Sequence, residues 1–363
     1  MSKSDLQRLR KKIDALDLRL VELLNKRTSL AVAIGKVKAR AQAPVFTPAR
    51  EAEVFRNIAA CNKGPLSAQA LRAIYTEIMS ATRVLQKPLR VAYLGPKATF
   101  THQASLKKFG QQAEYAGQDT ITDIFSTVER GTCDYGVVPV ENSIEGAVNH
   151  TLDMFVDSDL KICAEIMLEI SQHLLSRVSR ASIRRVYSKA EVFGQCRLWL
   201  ESNLPGRELV ETSSTSRAAE IAAAEKNAAA IAGSLAALLY GVPVLAESIQ
   251  DIPHNRTRFL VIGKTAAGRT GRDKTSVIFS AKDRAGALHD MLAPFKKDRI
   301  NLTKIESRPS KKKAWQYYFF VDMEGHATEP RVKRALADLE HACSFFKVIG
   351  AYPQSPAEGG ENV

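Results

Sequence analysis

The chain has 363 residues, 45% of them hydrophobic and 25% charged, the balance of a folded globular protein rather than a disordered or fibrous one. No apolar run is long enough to span a bilayer, and the opening MSKSDLQRLRKK lacks the apolar core of a signal peptide, so the expectation is a cytoplasmic protein with no membrane partner. The net charge of +13 is concentrated at one end: residues 1–90 hold 18 Lys and Arg against 7 Asp and Glu. Such a segment can serve nucleic acid, an anionic small molecule or only a solvated face. Five scattered cysteines without a C-x-x-C, and histidines without ligand spacing, point away from a disulfide frame or a metal site.

Residues 5–40 carry one long helical period, with Ile13, Leu16, Leu20, Leu23, Leu30, Ile34 and Val37 recurring every three or four residues. APVFTP (43–48) interrupts it. Two shorter helical patterns follow, about 49–62 and 67–86, the latter stopped by Pro88. Three such helices without strands bury little core alone, so we expect them to intertwine with a second copy. From Leu89 the period changes. LRVAYLG, YGVVPVENS, IRRVYS, AAAIAG, PVLAESI and RFLVIG read as strands, alternating with helices at 120–130, 143–156, 190–203, 215–226 and 232–240, an α/β architecture. KTAAGRTGRDK (264–274) reads as a linker. Beyond it TSVIFSA, INLTKIES, AWQYYFFVD and FFKVIGAY are strands and 285–297 and 329–341 helices, the ferredoxin-like order, before a tail, QSPAEGGENV, expected to be disordered.

In the first segment Arg27 and Lys38 are eleven residues apart, about three helical turns. Both fall on the line of Ala31 and Ile34, inside the apolar stripe, where DNA-binding cations would not be placed. Buried cations need partners. Glu22 and Glu51 could supply them internally; the alternative is an anionic ligand among the helices, with Arg10, Arg50, Glu51 and Gln86 adding polar groups. LRKKIDALDLRLVELLNKRTSLAVAIGKVK, then ARE, then EIMSATRVLQ resembles the all-helical class of chorismate mutases, interlocked dimers in which each site borrows an Arg from the partner's long helix. The resemblance implies that Arg10 is the borrowed residue and that Arg27 and Arg50 grip the two carboxylates of chorismate. It also implies Lys38 and Gln86 on the ether oxygen, Glu51 on the ring hydroxyl and Thr82 lining the site. VFTPARE departs from the family's common VYRPERE, with Thr47 in an Arg position.

In the middle segment Glu141, Asn142 and Ser143 are expected at the entry to a helix, where backbone N–H groups favour an anion or simply need an N-cap. Ser188 follows a strand, with Gln195 on the next helix; Cys196 reads as a buried helical thiol. VAYLGPKATFTHQA, GVVPVENSIEGAV, YSKAEVFGQC, ETSSTSRAA, YGVPVLAESIQD and NRTRFLVIG together resemble prephenate dehydratase, a two-lobed, periplasmic-binding-protein-like α/β fold with its site in the cleft. The resemblance implies Thr257 as proton donor to the departing ring hydroxyl and Arg258 on a substrate carboxylate. Asn142, Ser143, Ser188 and Gln195 would share the site, with Thr99, Glu141, Ser213, Thr215 and Phe259 lining it. YSKAE departs from the usual His-Pro after the serine.

DRAGALHDML and NLTKIESRPS resemble the ACT regulatory domain of these dehydratases. That implies phenylalanine bound at or near Gly286, Ala287, Leu288, Asn301, Leu302, Glu306, Ser307 and Arg308; an inert dimerisation module is the bland alternative. Taken together the chain resembles the bifunctional chorismate mutase–prephenate dehydratases of phenylalanine biosynthesis. It would divide into a mutase domain (1–88), a dehydratase domain (89–264) and an ACT domain (274–353), act as a homodimer or higher oligomer, and need no cofactor or metal. A ligand-responsive nucleic-acid regulator and a catalytically silent amino-acid sensor are the rival readings.

Overall fold

The computed structural model describes residues 3–281, 284–310 and 316–355. The first segment is three helices: α1 (Lys3–Arg40), α2 (Pro48–Cys61) and α3 (Ala68–Val84). α1 is about 57 Å long at 1.5 Å per residue, and none of its residues is buried. Leu16, Leu20, Leu23, Leu30, Ile34 and Val37 all stand more than half exposed along it.

The next segment folds as two α/β lobes. In chain order the elements are β1 (Arg90–Leu94), α4 (Phe100–Phe109), β2 (Glu114–Gln118), α5 (Ile121–Glu129), β3 (Tyr135–Asn142), β4 (Gly146–Ala147), α6 (Asn149–Asp157), β5 (Lys161–Glu169), β6 (His173–Ser176), β7 (Arg185–Ser188), α7 (Ala190–Gln195), α8 (Arg197–Asn203), β8 (Glu208–Glu211), α9 (Thr215–Ala224), β9 (Ala228–Ala232), α10 (Ser234–Tyr240), β10 (Val244–Ala246) and β11 (Arg256–Gly263). Strands in the order β2-β1-β3-β11-β5 build the first lobe, and β10-β6-β9-β7-β8 the second. The chain crosses between lobes after β5 and returns before β11, so two connections border the cleft.

The C-terminal segment comprises β12 (Asp273–Ser280), α11 (Ala287–Lys297), β13 (Leu302–Pro309), β14 (Tyr317–Glu324), α12 (Pro330–Ala342) and β15 (Phe345–Pro353). Its order β13-β14-β12-β15 is the expected ferredoxin-like sheet. That sheet joins the first lobe through one parallel pairing, Gly350 with Ile162. A Cβ at 350 would lie 2.6 Å from the Ile162 backbone oxygen, so only glycine allows the two sheets to meet.

The segments interlock. Phe46, in the α1–α2 connection, is 2% exposed and packs against Phe109 and Tyr135 of the first lobe at centroid distances of 5.0 and 5.1 Å. The linker of 264–274 is tied down: Arg56 donates to the Thr270 carbonyl, and Asp273 accepts from the Thr270 and Gly271 N–H groups. Most of the tail, residues 356–363, lies outside the described residues. Among the described residues no helix is long and apolar enough to cross a membrane.

The helix expected over 143–156 is shorter. β3 runs on through Asn142, a turn and β4 follow, and α6 begins at Asn149. Glu141, Asn142 and Ser143 therefore sit at a hairpin, not at a helix N-terminus.

Candidate active sites

In the helical segment Arg27 is half-buried and points at α3, its Nη1 3.5 Å from Thr82 Oγ1. Gln86 packs on α1 beside Gly35. Lys38 donates from Nζ to the carbonyls of Pro44 and Val45, both at 3.1 Å, and to Thr47 Oγ1 at 2.9 Å. Of the expected set, Arg27 with Thr82, Gln86 and Lys38 lie along the C-terminal half of α1, with Lys38 closing the loop that carries Phe46. Thr47, the residue that departs from the family pattern, supplies one of those acceptors. Burial lowers the Lys38 pKa below its ordinary 10.5. Arg50 is exposed and paired with Glu53 at 2.7 Å. Arg10 lies 17 residues before Arg27, about 25 Å along the helix, beyond reach of its own chain's cluster.

Glu51 departs from expectation. It is 7% exposed and held by Arg83 at 3.3 Å and by Lys108 of α4 at 2.5 Å. A carboxylate buried between two cations joins the helices to the first lobe, and both its oxygens are taken by those partners.

The cleft site is built where β3 and β11 pair. Thr257 lies opposite Asn142 in the register. Asn142 Nδ2 donates to Thr257 Oγ1 at 2.8 Å and to Asn255 Oδ1 at 2.7 Å, while Asn142 Oδ1 accepts from the N–H groups of Ile144 and Glu145. Those two backbone groups can only donate, which fixes which end of the amide is oxygen. Ser143 extends the pairing: its N–H donates to the Arg256 carbonyl and its Oγ accepts from the Arg256 N–H. From the second lobe Gln195 Nε2 donates to Glu145 Oε1 at 3.1 Å, closing the cleft mouth. Ser188 is buried and donates to the Ile231 carbonyl. Thr99 caps α4, accepting from the His102 N–H and donating to the Leu94 carbonyl. Ser213 is exposed, and Thr215 is buried at the start of α9. Burial pushes the Cys196 thiol up to about 12, the signature of an inert core cysteine rather than a nucleophile.

Three residues expected in the cleft lie elsewhere. Side chains alternate across a strand, so Arg258 points away from Thr257 and into the C-terminal segment. It is 7% exposed and bonded to Glu165 at 2.9 Å, Asp322 of β14 at 2.5 Å and the Tyr352 hydroxyl of β15 at 2.9 Å. Glu141 follows it, pairing with Lys304 at 3.0 Å. A bulge between Arg258 and Phe259 shifts the register, and Phe259 is core, 2% exposed.

In the C-terminal segment Gly286 takes a left-handed φ of 78° at the start of α11, a conformation that disfavours a side chain. Ala287 is buried there and Leu288 is 37% exposed. Ser307 and the half-buried Leu302 and Glu306 lie along β13, the edge of the sheet, and Asn301 immediately precedes it. Arg308 instead crosses to Asp153 of α6 at 3.1 Å. Sequence reasoning passed over Asn255 and Glu145, although both stand inside the quoted motifs.

These three regions match three families in order: chorismate mutase type II over residues 9–87, prephenate dehydratase over 91–267 and the ACT domain over 275–341. A bifunctional chorismate mutase/prephenate dehydratase of Aquifex aeolicus is 51% identical over 356 residues, covering 97% of this chain and 98% of its own. That of Stutzerimonas stutzeri is 44% identical, covering 98% of this chain and 100% of its own. The chain belongs to the bifunctional chorismate mutase/prephenate dehydratase family. It is an enzyme of phenylalanine biosynthesis that rearranges chorismate to prephenate and converts prephenate to phenylpyruvate. Among solved structures, the prephenate dehydratase of Arthrobacter aurescens in complex with L-Phe superposes with a TM-score of 0.69 at 34% identity, covering 74% of this chain and 92% of that one.

Proposed function

We propose that the two reactions run at separate sites, with the domains divided as 1–88, 89–264 and 274–353. For the mutase, the uncovered apolar stripe of α1 and the distance of Arg10 from Arg27 support a site completed by a second copy, whose Arg10 joins this chain's Arg27, Lys38 and Gln86. The rearrangement is pericyclic and needs no acid, base or nucleophile. Arg27, with Arg50, holds the dianion folded, while Lys38 and Gln86 stabilise the charge growing on the ether oxygen. Lys38 gives that oxygen one of the hydrogens it now gives the 44–47 loop.

For the dehydratase, the Asn142–Thr257 hydrogen bond carries the reading. Thr257 Oγ1 accepts from Asn142, which leaves its own hydrogen for the cleft. As the C–C bond to the ring carboxylate breaks, its electron pair enters the ring and carbon dioxide departs. The ring C–O bond breaks, the leaving oxygen takes the Thr257 hydrogen as water, and a proton from solvent restores the Thr257 hydroxyl. Threonine is a weak acid, but aromatisation drives the step and the bond strengthens as charge grows on oxygen. Ser143 holds the hairpin, and Gln195 with Glu145 draws the lobes together.

Phenylalanine is the proposed effector, bound at Gly286–Leu288 and β13, and the protein works as a cytoplasmic homodimer or higher oligomer. The Arg258 ties to Asp322 and Tyr352 support a route from that domain to the catalytic strand. The test is incubation with chorismate. The intact protein yields phenylpyruvate, whereas Thr257→Val, which keeps the β-branched shape, accumulates prephenate at an unchanged mutase rate. Near-normal phenylpyruvate from Thr257→Val would remove Thr257 as the donor.

A further inference from the structure

Thr257 can donate to the leaving oxygen only if its own oxygen is held as an acceptor and its hydrogen is left over. Asn142 does the holding, but Asn142 has two N–H hydrogens and could satisfy either neighbour with either. The backbone donors of Ile144 and Glu145 set which end of the amide is oxygen, and a third residue takes the hydrogen that Thr257 does not. Asn255 precedes β11 and stands two positions before Thr257, so on an extended chain both side chains leave the same face. It is 1% exposed. Its carbonyl accepts from the Ile170 N–H at 2.8 Å, which pins its backbone to the end of β5. Its Oδ1 takes one Asn142 hydrogen at 2.7 Å, and the other goes to Thr257 at 2.8 Å. With Asn142 Oδ1 already engaged by two backbone donors, every group on that amide is spoken for. The Asn142 amide cannot turn its oxygen toward Thr257 without losing four bonds.

We propose that Asn255 is a positioning residue for the dehydratase step: it locks the Asn142 amide so that Thr257 accepts from Asn142 and presents its hydrogen to the substrate. Asn255 itself need not touch prephenate. The proposal rests on Thr257 as the donor. An Asn255 that merely stabilised the fold would affect both activities or stability; a positioning Asn255 affects one rate constant through one residue.

The experiment is a double-mutant cycle read as steady-state dehydratase kinetics on prephenate, with the mutase rate of the same sample as the check on folding. Asn255→Leu, close in size, should lower dehydratase kcat by up to roughly 100-fold, the scale of a small misplacement of a reacting group. KM should stay within about threefold, because the loss falls on the transition state. Asn255→Asp keeps an oxygen facing Asn142 and should retain clearly more kcat than Asn255→Leu. In the Thr257→Val background, Asn255→Leu should add almost nothing, since it acts through the group already removed. Should Asn255→Leu fail to fold, Asn255→Ser replaces it in the same cycle. A near-normal kcat for the single variant, an equal loss in Asn255→Asp, or additive losses in the double variant would each overturn the proposal. Thr257→Val alone reports on the donor: if it keeps its rate, that reading has failed, whatever the Asn255 variants do.

Discussion

Asp322→Asn tests the join between the ACT sheet and the catalytic strand. Asp322 Oδ2 lies 2.5 Å from Arg258 Nη1, and Oδ1 2.5 Å from Ser276 Oγ. The two paired side chains are 8% and 11% exposed. Around them Arg258, Lys274 and Lys304 face Glu141, Glu165 and Asp322. The charges balance, and removing one carboxylate leaves an excess positive charge with little water to solvate it. Breaking a buried pair from one side costs about 3–5 kcal/mol, much of it from the stranded charge. Asparagine keeps the shape and the Ser276 bond, and Glu165 still holds Arg258, so the lower end, about 3 kcal/mol, is expected. That is a drop of roughly 6–12 °C for a cooperative unit of this size. Thermal unfolding would be followed for Asp322→Asn, Arg258→Met and the double variant, with the double recovering most of the summed loss. A cost below about 1 kcal/mol, the range of exposed pairs, or strictly additive losses would refute the buried network.

Other outcomes follow from the mutase cluster and the effector loop. Burial lowers the Lys38 pKa from 10.5, so the ammonium is disfavoured in the fold, a penalty present below the folded pKa that fades as pH rises toward 10.5. The mutase rate should therefore decline on an alkaline limb centred below 10.5, and Lys38→Gln should remove that limb together with most of the rate; an unchanged pH profile in Lys38→Gln would exclude Lys38 from the chemistry. Gly286→Val places a β-branched residue at a φ of 78°, and should raise the phenylalanine concentration for half-inhibition of the dehydratase at least about tenfold with the mutase rate untouched; unaltered inhibition would place the effector elsewhere.

The order of elements was legible wherever apolar period and punctuation agreed: the three N-terminal helices, β1, β3, β9, β11 and the whole ferredoxin-like segment. β2, EYAGQ, and β8, ELVE, are short, polar edge strands without a run of apolar residues, while the apolar runs of β5 and β6 went unread as strands. The 143–156 helix was drawn too long because NSIEGAV has helical spacing, whereas Asn142 turns the chain into a hairpin through side-chain bonds that periodicity does not encode. Thr257, Asn142 and Gln195 could be named from motifs. The directions of Arg258 and Glu51 could not, because each is set by a partner far along the chain: Asp322 for one, Lys108 for the other.

The placement of Arg258 explains why a hydroxyl and a guanidinium stand side by side where β11 enters the core. A strand offers two faces at a spacing of one residue. Thr257 uses the face that meets Asn142 and the cleft, and Arg258 the face that meets Asp322, Tyr352 and Glu165. On the reading proposed above, the pair is one group for the chemistry, Thr257, and one bonded into the C-terminal sheet, Arg258, linked by a single peptide unit. Because the guanidinium is buried and bonded from both sides of the β5–β15 seam, a shift of the ACT sheet cannot leave β11 where it was without breaking those bonds. Under the regulation and the proton donor proposed above, a small movement at β14 would be delivered at Thr257, one residue away, where hydrogen-bond distance decides whether a proton is in reach. Coupling through such a pin needs no chain of intermediates across the lobe. It needs only that the effector favour one position of the ACT sheet over another.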